Sequence, residues 1–381
     1  MKKRIISAAV VLVFFAALLA VVLTTPKLKR SESKAERSVN VESKEELELD
    51  YSRMTEKELL VLAYDGDPEA CYRLGMLYDY GAQEVQQNFT NAMEWYRTAD
   101  ALGQKNAACA IGYLYLNGCG AEKDPEYAKL CFDRAVEQGD AQGYVGLGRL
   151  SLDSAGTDAS MIENFKLAKN AGVLDGVYYL GYVYEKGLGT KRRPKKAFKL
   201  YEEAAFSDSN ALEDQYPIKA SMTRLGILYM KGLGTEKDYD AAIEWFERAA
   251  EGGSAMAAYY LGIIYEMGYG VSVDYNRSLS WLESAAQQDY APAYNEIGCM
   301  YFNGYGVDVN YEEAVYYQKL AAALGYEKAQ VNLGYLYENG YGVTRDLSMA
   351  LLYYRMAMDA GYPGADEAVS RVHQMMEADQ Q

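Results

Sequence analysis

Small and apolar residues recur three and four positions apart through most of this chain, in blocks that change phase at short glycine-containing breaks. The block from Ala257 shows the logic. Ala258, Leu261, Gly262 and Tyr265 fall on one face of a helix. Gly268 and Gly270 then end that helix and turn the chain. Asp274 stands where a second helix begins and can cap its free N–H groups; Asp124, Asp238, Asn310 and Asp346 stand in the same place in other blocks. Pro194 occupies a nearby first-turn position in the fourth block. On the second helix, Ser278, Trp281, Leu282 and Ala285 form the face that packs back. One block earlier these places hold Ala242, Trp245, Phe246 and Ala249, and one block later Ala314, Tyr317 and Ala321.

The mid-helix glycine recurs at Gly75, Gly112, Gly148, Gly181, Gly226, Gly262, Gly298 and Gly334, in steps of 37, 36, 33, 45, 36, 36 and 36 residues. Glycine inside a helix costs about 1 kcal/mol relative to alanine, so its return in every block predicts a helix approaching too closely for a side chain. A period of this length signals stacked helix-turn-helix units that share one continuous core. The chain therefore reads as all-α, a solenoid of about eight units over 69–362. A capping helix is expected over 51–68 and another over 363–381. Irregular steps mark the middle of the array: the third unit has Ser151-Leu152-Asp153-Ser154 in place of its glycine turn, and the fourth carries an excess around Ser207 to Pro217. A bend or loosening is expected between units three and five.

These residues resemble the Sel-one-like repeat family, relatives of tetratricopeptide repeats. Its pattern, A-x-x-x-L-G-x-x-Y-x-x-G-x-G-V-x-x-D followed by A-x-x-W-[YF]-x-x-A-A-x-x-G, is met nearly in full by units five to eight, down to Gly270-Val271, Gly306-Val307 and Gly342-Val343. The resemblance implies a right-handed α/α superhelix. It also implies an adaptor role of the kind seen in signalling, membrane-protein quality control and bacterial surface interactions. No catalytic residues come with it.

Charge and composition narrow the function. The net charge is −16 overall, and −18 on residues 51–381 once the basic N-terminal stretch is set apart. So acidic a repeat domain repels phosphate backbones, which argues against nucleic acid and for a basic or neutral partner. At the N-terminus, Lys2, Lys3 and Arg4 precede an uncharged apolar run from Ile5 to Leu23, just long enough to cross a bilayer. Residues 1–24 are accordingly read as a membrane anchor, with a cleaved signal, and so a secreted chain, as the alternative. A short basic start before an apolar run is an export signal and places the repeats outside the cytoplasm. The basic residues from Lys27 to Arg37 count the other way under the positive-inside rule. Residues 25–50, rich in Ser, Glu and Lys, read as a flexible tether.

Candidate chemistry is sparse. The single histidine, His373, falls on the C-terminal helix among polar residues and reads as a surface group. Cys71, Cys109, Cys119, Cys131 and Cys299 form no CxxC, so neither a zinc site nor a disulfide framework is indicated, although a Cys109–Cys131 bridge is open to an oxidising compartment. No catalytic, metal or cofactor residues are assigned. The 37 tyrosines, against 9 phenylalanines and 3 tryptophans, suit half-buried seams and binding surfaces alike. In tetratricopeptide-like stacking the first helices line the concave face. The residues three before, one after and four after each glycine would then point into it: Tyr72, Tyr178 and Tyr259; Tyr113, Tyr182 and Tyr335; Asp79, Glu185, Glu266 and Glu338. Solvated carboxylates between tyrosines would suit an extended, basic or neutral peptide. The leading expectation is a membrane-tethered, non-enzymatic scaffold that binds a protein or peptide in this groove. The alternative is a cell-envelope module that binds cell-wall glycan or regulates an envelope enzyme. A hydrolase akin to the cysteine-rich repeat proteins stands last, because their paired cysteines are missing.

Overall fold

The computed structural model describes residues 49–82, 84–153, 159–209 and 214–378. The anchor expected over 1–24 and nearly all of the tether lie outside them. No helix among the described residues is long and apolar enough to cross a membrane.

A 3-10 turn, Tyr51–Arg53, leads into α1 (Glu56–Tyr64). Pairs of helices follow: α2 and α3 (Pro68–Tyr80, Phe89–Ala101), α4 and α5 (Ala107–Asn117, Pro125–Glu137), α6 and α7 (Gln142–Asp153, Ser160–Asn170), and α8 and α9 (Leu174–Lys186, Pro194–Ala205). The array continues with α10 and α11 (Gln215–Lys231, Tyr239–Glu251), α12 and α13 (Ala255–Met267, Tyr275–Ala286), α14 and α15 (Ala291–Asn303, Tyr311–Ala323), and α16 and α17 (Glu327–Asn339, Leu347–Asp359). A last helix, α18 (Ala365–Ala378), covers the final pair. The described residues are thus an α/α solenoid of eight pairs with a helix at each end.

Local chemistry sets these boundaries. Asn88, Asp124, Asp238, Asp274, Asn310 and Asp346 each accept hydrogen bonds from first-turn N–H groups of the helices they precede. Such a cap is worth about 1 kcal/mol. Thr55 and Glu58 form a reciprocal capping box on α1. Within each pair the glycine lies under a side chain of the second helix. A Cβ on Gly112, Gly226 or Gly334 would come within 2.6, 2.6 and 2.7 Å of the rings of Phe132, Phe246 and Tyr354. Tyr96, Phe165, Tyr201, Leu282 and Gln318 cover the other five glycines. The covering aromatic rings are at most 2% exposed, and burying one stabilises the fold by about 2–3 kcal/mol.

The core is a chain of clusters rather than a single centre. Ile227, Phe246, Ala249, Ala257 and Leu261, for example, join the fifth pair to the sixth. Each second helix packs on its own first helix and on the next one, while α4 and α6, α6 and α8, and α8 and α10 also touch directly. The first helices are therefore the inner layer. The second glycine of each late turn backs onto the preceding pair: Gly270 on Tyr239, Gly306 on Tyr275 and Gly342 on Tyr311. The tyrosine between the two glycines adds a ring contact there, at 5.4 Å for Tyr269 on Tyr239 and 5.1 Å for Tyr305 on Tyr275.

In the irregular middle, α10 runs 17 residues against 13 for α12, with Pro217 buried in its first turn. Part of the expected Ser207–Pro217 excess is thus an early start to the helix, while 210–213 lie outside the described residues, as do 154–158 in the third unit. All five cysteines are free, so the bridge left open between Cys109 and Cys131 is not formed.

Candidate functional site

Positions three before and four after the glycine lie on the same helical stripe as the glycine itself, and that stripe faces the second helix of the pair. This corrects the expected groove. Glu185 and Glu338, expected to be solvated carboxylates, are buried at 4% and 7% exposure. Glu185 accepts a hydrogen bond from the Tyr201 hydroxyl at 2.9 Å, and Glu338 one from Tyr354 at 2.8 Å. Half-buried Asp79 accepts from Tyr96 at 3.1 Å. Arg371 of α18 also grips Glu338 with two bonds, at 3.0 and 2.9 Å. Burial alone would push the Glu338 carboxyl up, but the bonds from Arg371 and Tyr354 hold it below its ordinary value.

A pairing rule runs through the array. Where the ring over the glycine is a tyrosine, the residue four after the glycine is an acid that takes its hydroxyl proton bond. Where the ring is Phe132, Phe165 or Phe246, that residue is Leu116, Leu152 or Met230. These acids serve to satisfy buried phenols, as a buried polar group requires.

Glu266 breaks the rule, because Leu282 stands over its glycine. Its Oε2 is buried without a hydrogen-bond partner. Burial pushes its carboxyl up and Glu296 adds to the rise, against Lys328. A carboxyl raised in the folded state favours folding when protonated. That contribution is complete below the unfolded pKa and is lost as pH rises through the folded one. Glu266→Gln is therefore expected to raise the melting temperature at pH 7 and to leave it unchanged at a pH below the ordinary 4.5. Thermal melts of both proteins across that interval check the sign.

Next to Glu266 lies a polar network on the seventh and eighth units. Lys328 pairs with Glu296 at 2.9 Å, Asn332 donates to Asn295 at 2.9 Å, and Gln318 donates to the Asn295 carbonyl at 3.0 Å. Burial pushes the neighbouring Cys299 thiol up to about 11, so it is no poised nucleophile.

The tyrosines separate by surroundings. Tyr178 is buried, and Tyr72, Tyr113, Tyr182 and Tyr259 are half-buried. Tyr335 is 44% exposed, beside Phe302 and Tyr341. Tyr178 and Tyr182 come together in a pocket of about 380 Å³ among α6, α8 and α10, with Arg149, Arg224, Tyr179 and Tyr216 completing its polar and aromatic wall. Leu152 and Leu188 give it an apolar side, and Asp153 stands at its exposed rim. Arg149 lies over the rings of Tyr113 and Tyr179 at 5.0 and 5.8 Å, and Arg224 over Tyr182 at 5.2 Å. Neither arginine was among the expected site residues. Their signal in the sequence is one of position: two before the glycine the units carry Arg, Ala, Gly, Tyr, Glu or Asn, and one after it Met, Tyr, Arg, Ile or Cys. A core position would keep one character. Among the described residues no cluster of His, Cys, Asp and Glu could hold a metal ion.

An α/α repeat protein whose first helices carry a polar and aromatic inner face is the class that this architecture defines. The Sel1 repeat pattern matches residues 68–103, 105–140, 174–205, 219–254, 255–290, 291–326 and 327–362, and the chain belongs to that family. The pattern passes over the third unit, where α6 and α7 still pack as a pair with Gly148 beneath Phe165. A solved Sel1 repeat protein from Oxalobacter formigenes shares the fold at 24% identity and TM-score 0.54, over 90% of this chain and 98% of that one. Chitin synthase regulator SKT5 of Saccharomyces cerevisiae is 31% identical over 143 residues, 36% of this chain and 20% of that protein. The ERAD-associated E3 ubiquitin-protein ligase component HRD3B of Arabidopsis thaliana is 28% identical over 95 residues, 25% of this chain and 15% of that one. This chain thus spans a fifth or less of these curated relatives.

Proposed function

We propose that the protein is a non-enzymatic scaffold or adaptor that binds a protein or peptide along the inner face of its first helices. The observation that carries this reading is the inner layer itself. It holds a pocket of arginines and tyrosines in the middle of the array and, in the eighth unit, the exposed ring of Tyr335. Buried polar atoms and half-buried aromatics on one continuous face suit an extended polypeptide, which brings both backbone donors and side chains. The net charge of −16 favours a partner that is basic or neutral overall. The apolar run Ile5 to Leu23 would tether the repeats to a membrane on its outer side. A second reading, regulation of an envelope enzyme, draws on the relative named as a chitin synthase regulator.

Photo-crosslinking of the full chain in its native membrane tests the first reading. Crosslinks to one polypeptide are expected from probes on the first helices and not from probes on the second. Tyr335→Ala should weaken capture several-fold without moving the melting temperature, because Tyr335 is exposed. Crosslinks confined to the second helices, or sedimentation with isolated cell wall in place of protein capture, would overturn it.

A further inference from the structure

We propose that the pocket among α6, α8 and α10 is a carboxylate receptor, which takes the side chain of one Asp or Glu in an otherwise neutral or basic partner segment. This rests on the inner-face reading above and names what one part of that face selects.

Two guanidiniums line the same pocket in a chain where acids outnumber bases by 54 to 38. Neither is neutralised in the manner of Arg371. Arg149 forms no ion pair among the described residues; it donates to the Asn117 side chain at 3.2 Å and rests on tyrosine rings. Arg224 is 17% exposed and reaches Glu185 only at 3.7 Å, and that carboxylate already serves Tyr201 and Lys186. Tyrosine rings lie against both guanidiniums, at 5.0 and 5.8 Å from Arg149 and 5.2 Å from Arg224. An arriving carboxylate would then meet preorganised donors in a medium less polar than bulk solvent. Leu152 and Leu188 offer apolar contact to the methylenes of an acidic side chain. A volume of about 380 Å³ admits one such side chain with a short piece of backbone, and no extended acidic tract. Asp153 at the rim works against a second acid beside the first.

The test pans a library of random short peptides displayed on phage against the full chain and against Arg149→Gln/Arg224→Gln. The wild type is expected to enrich peptides with an acid at one fixed position, and the double variant to lose that position alone. Binding of a selected peptide, followed by fluorescence anisotropy, should fall on the order of tenfold or more for each arginine removed. Changing the peptide's acid to its amide should cost the wild type as much and the double variant almost nothing. Arg149→Lys/Arg224→Lys keeps the charges but not the planar fork, so it should retain the acidic position with weaker enrichment than the wild type, which separates loss of the receptor from loss of the fold. Enriched peptides with no fixed acid, or an acid that survives the double Gln variant, would overturn the carboxylate receptor and leave the scaffold standing. Failure to enrich any peptide on the wild type would sink both readings.

Discussion

Gly342→Ala is expected to destabilise the protein by about 3 kcal/mol, where Gly325→Ala costs about 1 kcal/mol. Both glycines have positive φ, +66° and +83°, so both substitutions strain the backbone. They differ in what a methyl group would meet. At Gly325 there is open space. At Gly342 the new carbon would overlap the Tyr311 carbonyl and lie 2.7 Å from the Glu312 nitrogen, both on the second helix of the preceding unit. Backbone cannot rotate aside as a side chain can, so relief requires the two units to separate. Urea unfolding of the two variants beside the wild type measures the gap. Equal losses would show that the turn conformation, and not the contact between units, makes the glycine necessary.

The second prediction concerns the acid–phenol pairs. Asp79→Leu leaves the Tyr96 hydroxyl buried without an acceptor, and Tyr96→Phe leaves a half-buried carboxylate without its donor. Each should cost about 2 kcal/mol. The double variant reproduces the arrangement that the second unit already uses, Leu116 with Phe132. It should cost less than about 1 kcal/mol, which is a coupling of about 3 kcal/mol in the cycle. Additive losses would mean that the hydrogen bond is not what ties the two positions. The outcome also bears on binding: an acid that exists to satisfy a phenol is not available to a partner.

Much of this was legible along the chain. The eight glycines, the Asp and Asn caps and the faces of the second helices follow from helical spacing and from the chemistry of unpaired N–H groups, and the structure places them as read. The acids four after the glycine were equally legible and were read onto the wrong face. Gly181 and Glu185 share a stripe, so whichever helix crowds the glycine also covers the acid. The coupled change from Asp79/Tyr96 to Leu116/Phe132 and from Glu185/Tyr201 to Met230/Phe246 was there to be seen. The pocket was not legible in the same way. Arg149 and Arg224 come from different positions of different units, and Tyr216 enters because α10 starts a turn early, in a stretch with no counterpart elsewhere in the array. Periodicity reveals what repeats, and this site is made of what does not.

The contact of each turn with the unit behind it has a consequence for how such a chain grows. Gly270, Gly306 and Gly342 rest on the first residue of the second helix one unit back, each time a tyrosine, so the sixth and seventh units each carry both the tooth and the notch of the same ratchet. Duplicating either of these two units adds a tooth and a notch together and leaves every other junction as it was. Array length is thus free to change without new contact chemistry.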